Sequence, residues 1–168
     1  MEELMSVLDN VEELVFQTAT QIANQAARES WLNDKVWTQK LLSALGECGR
    51  QLGYYVCGGG AEQHGGQCEW LYDLVWLKNN NGFIVDVPLI LESEWSTSYK
   101  HISEDFEKLL VGRAQHRVMV FQQKHVDGIF GRLAEEVRNF GLTQAGDRYL
   151  FLGWDWSDKT FKSELLVA

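Results

Sequence analysis

The sequence has a single proline, Pro88, and three cysteines, Cys48, Cys57 and Cys68, in 168 residues. One proline excludes the Pro-rich linkers that separate domains. The chain therefore reads as one domain over 1–168, long enough to bury a core without staples. The cysteines are odd in number and form no CxxC pair. Cys57, His64 and Cys68 lie close together, but their separations match no common zinc pattern, and the thiols read as reduced and structural. Absent too is any apolar run near the ~18 residues that a membrane span requires. The first residues, MEELMSVLDNVEEL, are acidic and amphipathic, unlike a signal or basic transit peptide, so the expected location is cytoplasmic with no membrane partner. Nor is there a basic excess. A net charge of -9 argues against a protein that coats nucleic acid non-specifically, because phosphate attraction supplies most of such binding. It leaves room for an enzyme that meets nucleic acid through bound cations and a local basic patch.

What is present is the composition of an ordinary globular protein, with 45% hydrophobic and 23% charged residues. Leu4, Leu8, Val11, Val15, Thr18 and Ile22 recur at spacings of three and four, which predicts an amphipathic helix over about 3–29. Such a long leading helix can pack on its own domain or on a second copy or protein partner. Asn33 and Asp34 suit the start of a second helix reaching Leu52, with Leu41, Leu45, Cys48 and Leu52 as its stripe and Gly53 at its stop. Glu47 lies beside that stripe and can project towards a sheet. Tyr54 to Cys57 make a short strand. The loop after it, GGGAEQHGGQ, is glycine-rich but has no GxxxxGK[ST] and opens no helix, so it reads as a hairpin connection rather than a phosphate cradle.

The stretch Trp70 to Trp95, WLYDLVWLKNNNGFIVDVPLILESEW, carries the chemistry. It reads as two apolar strands joined by a connection containing Asn79, Asn80, Asn81 and Gly82. Alternation puts Asp73 with Val75 and Leu77 on one face, and Glu92 and Glu94 with Ile90 on one face of the second strand. Paired strands bring Asp73 beside Glu92 among apolar neighbours. Two unpaired carboxylates there repel and lose solvation, at several kcal/mol. A divalent cation, a proton or a basic partner must compensate.

Downstream, Ser103 reads as the N-cap of a helix carrying Phe106, Leu109 and Leu110, with Lys108 and Arg113 as its cations. Arg117 to Phe121 is a buried strand, and the helix before it suggests a crossover that adds a parallel strand. A helix over about 126–140 and strands at Arg148 to Leu152 and Phe161 to Val167 complete the chain, joined by a turn from Gly153 to Asp158.

A helix with Glu47, three strands bearing Asp73 and then Glu92, a helix and a fourth strand make an αβββαβ order. That order, with Asp73 and the Glu92-Ser93-Glu94 motif, resembles the core of the PD-(D/E)xK superfamily, the restriction-endonuclease-like fold, and DFEKLLVGRAQHRVMVF resembles an uncharacterised bacterial branch of it. The resemblance covers about 35–123 within a core of about 33–123, leaving 125–168 as a C-terminal helix and strands. It implies an α/β domain with a central mixed sheet flanked by helices, and a Mg-dependent (or Mn-dependent) nuclease that hydrolyses phosphodiesters of nucleic acid through an activated water. Asp73 and Glu92 would hold the ion, with Glu47 as an outer ligand. Glu94 stands where that family usually has Lys and would serve as a catalytic base or metal ligand, and Lys108 on the following helix would supply the missing ammonium. Gln122 and Arg113 would contact substrate. The alternative is a catalytically inactive nuclease-fold protein serving as a protein-binding or regulatory module, its acids held by Lys108 or an arginine.

Overall fold

A computed structural model describes residues 7–58 and 70–168. Helix α1, Asn10–Glu29, starts later than the periodicity suggests. Asp9 adopts an extended N-cap conformation, accepts from the backbone of Val11 and Glu12, and receives Glu12 in a capping box. That closes the helix one residue after Leu8, while Leu4 lies outside the described residues. Helix α2, Asp34–Gln51, begins at Asn33 as expected, with the Asn33 side chain accepting from Lys35 N.

Strand β1, Tyr55–Gly58, is followed by β2, Leu74–Asn80, and β3, Phe83–Glu94. The hairpin between β2 and β3 is tighter than expected. Asn79 and Asn80 pair with Ile84 and Phe83, so only Asn81 and Gly82 turn, both with positive φ (49° and 84°). An Asn-Gly pair tolerates the two left-handed positions that such a two-residue turn demands. Trp70 to Asp73 precede β2 rather than belonging to it. Helix α3, Tyr99–Val111, starts a turn before Ser103, because Tyr99 and Ile102 extend the stripe of Phe106 and Leu109 backwards. Ser103 is therefore not a cap; its hydroxyl donates to Glu136 at 2.8 Å. Strand β4, His116–Gln123, leads to α4, Asp127–Asn139, and then to β5, Arg148–Asp155, and β6, Thr160–Val167. Gly153, Trp154 and Asp155 continue β5 instead of turning, since each pairs with both β4 and β6. A Cβ at Gly153 would come within 2.6 Å of Val126, so only glycine fits that close passage.

The fold is α/β: a six-stranded mixed open sheet in the order β1-β2-β3-β4-β5-β6, with four helices among the described residues. β3, β4 and β5 are mutually parallel, and the β3-α3-β4 crossover is as expected. Helices α1 and α2 cover one face, burying Val15, Leu41 and Leu45 against Leu74, Trp76 and Leu91. Helices α3 and α4 cover the other, with Phe106 and Phe130 over Val75, Ile90 and Phe151. The apolar stripe of α1 is used inside the fold, against α2 and β6.

Cys48 is a free thiol, but Cys57 is disulfide-bonded, contrary to the expectation of reduced cysteines. Its closed environment on β1, with no exposure, gives it no access to a metal as thiolate. His64 and Cys68, with most of the glycine-rich loop, lie outside the described residues. Disulfides persist mainly in oxidising compartments, so the cysteines lend the cytoplasmic expectation no support. Among the described residues no helix is long and apolar enough to cross a membrane.

Candidate functional site

Leu74 pairs with Leu91 and Val75 with Ile90, so the register places Asp73 opposite Glu92, as alternation predicts. Asp73 crosses to β3 with one oxygen: its Oδ2 accepts from both the backbone N–H and the hydroxyl of Ser93, each at 2.8 Å. Glu92 is 2% exposed and lies on the α3 face with Ile90. Its Oε2 accepts from Nζ of Lys108 at 3.1 Å, and the same ammonium donates to Asp105 Oδ1 at 2.7 Å. Oε1 of Glu92 is buried and has no hydrogen-bond partner among the described residues.

The electrostatics follow from that geometry. Burial, then the neighbouring Asp73 charge, push the Glu92 carboxyl from 4.5 up to about 8, with Lys108 pulling only partly in the opposite direction. Lys108 is held above its ordinary value by the two acids, against the lowering effect of burial. Tyr72 also borders the cluster. Its hydroxyl donates to the Lys108 carbonyl at 3.4 Å, and burial and the Glu92 charge raise its pKa.

Another buried acid shows what full satisfaction looks like. Asp155, at 0% exposure, accepts from Lys162 at 3.0 Å, from the hydroxyl and backbone of Ser157, and from Val126 N–H. Despite burial, those donors hold its carboxyl well below the usual range. Asp155 is a structural acid. Glu92, with half its carboxylate unmatched beside a second acid, is a different kind of group. Its donor set of hard oxygens suits Mg²⁺ or Mn²⁺.

The other expected site residues are dispersed. Glu94 shares the Glu92 face, but its Oε1 accepts from Ser96 N–H at 2.6 Å and shapes the exit from β3. Glu47 is exposed on α2, which covers the opposite face of the sheet, and its carboxylate accepts from Arg50 and Gln51. The structure does not bring it to Asp73. Gln122 follows Val118 and Val120 onto the α1–α2 face; its amide donates to the Trp95 carbonyl and accepts from Trp156 Nε1 at 2.8 Å. Arg113 donates to Gln144 at 2.7 Å and, with Arg117 and Asp147, lines a small cleft to which neither Asp73 nor Glu92 contributes.

One cluster has no forerunner in the sequence reading. Asp9, Glu12 and His116 offer ligand atoms all within 4.8 Å of one another. A cation is already there: Arg148 donates to both oxygens of Glu12, at 2.8 and 2.6 Å, and lies 3.8 Å from Asp9. His116 bridges Asp9 Oδ2 and the Pro88 carbonyl, each at 2.7 Å. The cluster clasps the start of α1 to the sheet. No short motif encodes it, because Asp9 and Glu12 lie more than a hundred residues from His116 and Arg148.

No protein-family description matches the chain, and neither the curated proteins nor the solved structures contain a significant match.

Proposed function

We propose that Asp73, Glu92 and Lys108 form the centre of a phosphodiester hydrolase that acts on nucleic acid with a bound Mg²⁺ or Mn²⁺. The observation that carries this reading is the unmatched, buried Oε1 of Glu92 beside a second carboxylate, in a protein that satisfies its structural acid Asp155 completely. The αβββαβ order of α2 to β4 and the resemblance to the PD-(D/E)xK superfamily support it.

Asp73 and Glu92 would hold the ion. Bound in such a place, a divalent cation lowers the pKa of a coordinated water and offsets charge on phosphoryl oxygens. Ser93 fixes the orientation of Asp73 by donating twice to one oxygen, leaving the other directed elsewhere. Lys108, its side chain 46% exposed, keeps an ammonium at the rim, able to donate to a phosphate oxygen or to an attacking water. Asp105 restrains that ammonium on its outer side.

The test is nicking of supercoiled plasmid and cleavage of single-stranded RNA and DNA with Mg²⁺ or Mn²⁺, for the wild type and for Asp73→Ala. Metal-dependent cleavage lost in the variant supports the reading; no cleavage under any of these conditions removes it.

One observation favours a second reading, an inactive nuclease-fold binding module. The Lys108 ammonium already sits on Glu92, and a basic partner is one way of offsetting the acid pair without an ion. In that case Asp73→Ala stabilises the fold and divalent cations leave its stability unchanged.

A further inference from the structure

Four of the seven tryptophans, Trp31, Trp37, Trp154 and Trp156, line a cavity of about 410 Å³ between the end of α1, the start of α2 and the β5–β6 turn. That volume is in the range of small-molecule sites. Opposite the indoles, α1 presents Ala23, Ala26 and Ala27, whose small side chains leave the space open. The rings are arranged as faces and edges: Trp37 lies 5.3 Å from Trp154 at 48°, and Trp154 lies 5.8 Å from Trp156 at 89°. Trp156 is 48% exposed, so an indole surface remains free at the mouth. The N–H of Trp154 is buried without an acceptor among the described residues.

Charge narrows the ligand. Lys159 is the one charged side chain lining the cavity, it is exposed, and it makes no ion pair among the described residues. A cationic ligand, which tryptophan cages otherwise suit, would meet that ammonium. A planar ring carrying an anionic group meets indole faces and Lys159 together. Position narrows it further. Glu92 pairs with Met119, which pairs with Phe151; Glu94 pairs with Phe121, which pairs with Gly153; and Trp154 lies one residue on. The cavity and the acid pair thus occupy opposite faces of the same end of the sheet, the carboxyl ends of β3 to β5. Trp95, the residue after β3, reaches within 5.7 Å of Trp37.

We propose that this cavity binds a nucleobase, stacked on Trp156 with its 5′-phosphate at Lys159, either as a free nucleotide or as one residue of a single strand. Stacking, rather than bulk charge, supplies the affinity, which reconciles nucleotide binding with a net charge of -9. The choice of ligand rests partly on the hydrolase reading, yet binding here requires neither the acid pair nor a metal ion.

Isothermal titration calorimetry in EDTA with adenosine monophosphate, and separately with a short single-stranded oligodeoxynucleotide, tests this. One-site binding of either probe is expected; a tighter oligonucleotide assigns the site to a strand, and binding of the mononucleotide alone assigns it to free nucleotide. Trp156→Ala should weaken binding about tenfold or more, the loss of one base–aromatic stack. Ala27→Phe fills the cavity from an exposed helix position and should abolish binding with an unchanged melting temperature. Lys159→Glu should weaken binding of both probes and, for the oligonucleotide, remove a salt dependence of about −0.7 in log K per log salt, the value for one neutralised phosphate of a single strand. Absence of binding by either probe at millimolar concentration, or unchanged affinity in Trp156→Ala and Ala27→Phe, overturns the proposal. Asp73→Ala should bind as the wild type does, so failure here and failure of the hydrolase reading are told apart.

Discussion

Lys108 Nζ lies 3.1 Å from Oε2 of Glu92, while Oε1 of the same carboxylate is buried with no partner among the described residues. The lysine meets half of the acid. An unpaired buried oxygen of a carboxylate is expensive, and Asp73 beside it adds repulsion. A proton or a small divalent cation completes the group, and the two make different predictions.

In the absence of divalent cations, stability should fall as pH rises. The folded Glu92 carboxyl titrates near 8, above its ordinary 4.5, so the folded protein holds the proton more tightly than the unfolded chain. Its contribution is full below the unfolded value and is lost as pH climbs through about 8, by at most about 1.4 kcal/mol per unit within that window. Asp9, whose carboxyl is lowered by the Glu12 backbone and His116 in spite of burial, acts only at the acid end. Urea unfolding in EDTA across this range should show the decline, and Glu92→Gln should flatten it. An equal slope in the variant assigns the titration to another group.

Lys108→Met separates holding the ion from using it. The substitution removes an ammonium that competes for Glu92, so cation-induced stabilisation should persist or grow, while plasmid cleavage falls by two orders of magnitude or more, about the contribution of a positioned proton donor or acceptor. Unchanged cleavage removes Lys108 from the centre.

Glu12→Ala should destabilise the fold by about 3 kcal/mol, because it leaves the Arg148 guanidinium without the partner that meets it at 2.6 and 2.8 Å at a site where Glu12 is 1% exposed. Chemical denaturation measures it. A loss below about 0.5 kcal/mol would mean that water replaces the clasp.

Gly49→Ala tests the packing of α2 on the sheet. A Cβ there would approach the Trp76 indole to 2.6 Å, so the ring must shift within a filled core, at about 1–3 kcal/mol. Near-ultraviolet dichroism and the denaturation midpoint should both change; a neutral substitution would mean the ring moves freely.

The acid pair was legible by parity: counting back from Val75 and on from Ile90 puts Asp73, just before β2, and Glu92 on one face, and the hairpin register continues Leu74–Leu91 to bring them together. Lys108 came from the resemblance to the superfamily and not from helical spacing, which sets it off the face of Phe106 and Leu109. Gln122 was not legible. β4 is buried on both faces, and a continuous apolar run carries no alternation to say which way its polar end points. Glu47 sits beside an apolar stripe in the sequence, yet α2 lies across the sheet from Asp73, a relation that helix periodicity does not contain. Arg113 is fixed by Gln144 and Asp147, and the Asp9–His116–Arg148 clasp joins the start of α1 to β4 and β5; neither has a local signal. The tryptophan cavity was hidden for the same reason, since its walls come from α1, α2 and the β5–β6 turn.

The central claim is that Asp73 and Glu92 together hold a divalent ion, and thermal unfolding with and without Mg²⁺ or Mn²⁺ tests it most directly. At a hundredfold excess over Kd, an ion bound only by the native state adds about 2.7 kcal/mol, roughly 5–10 °C for a chain of this size. The wild type should show that rise, and Asp73→Ala and Glu92→Gln should not. A wild-type midpoint that ignores the ions, or a rise of equal size in both variants, contradicts it.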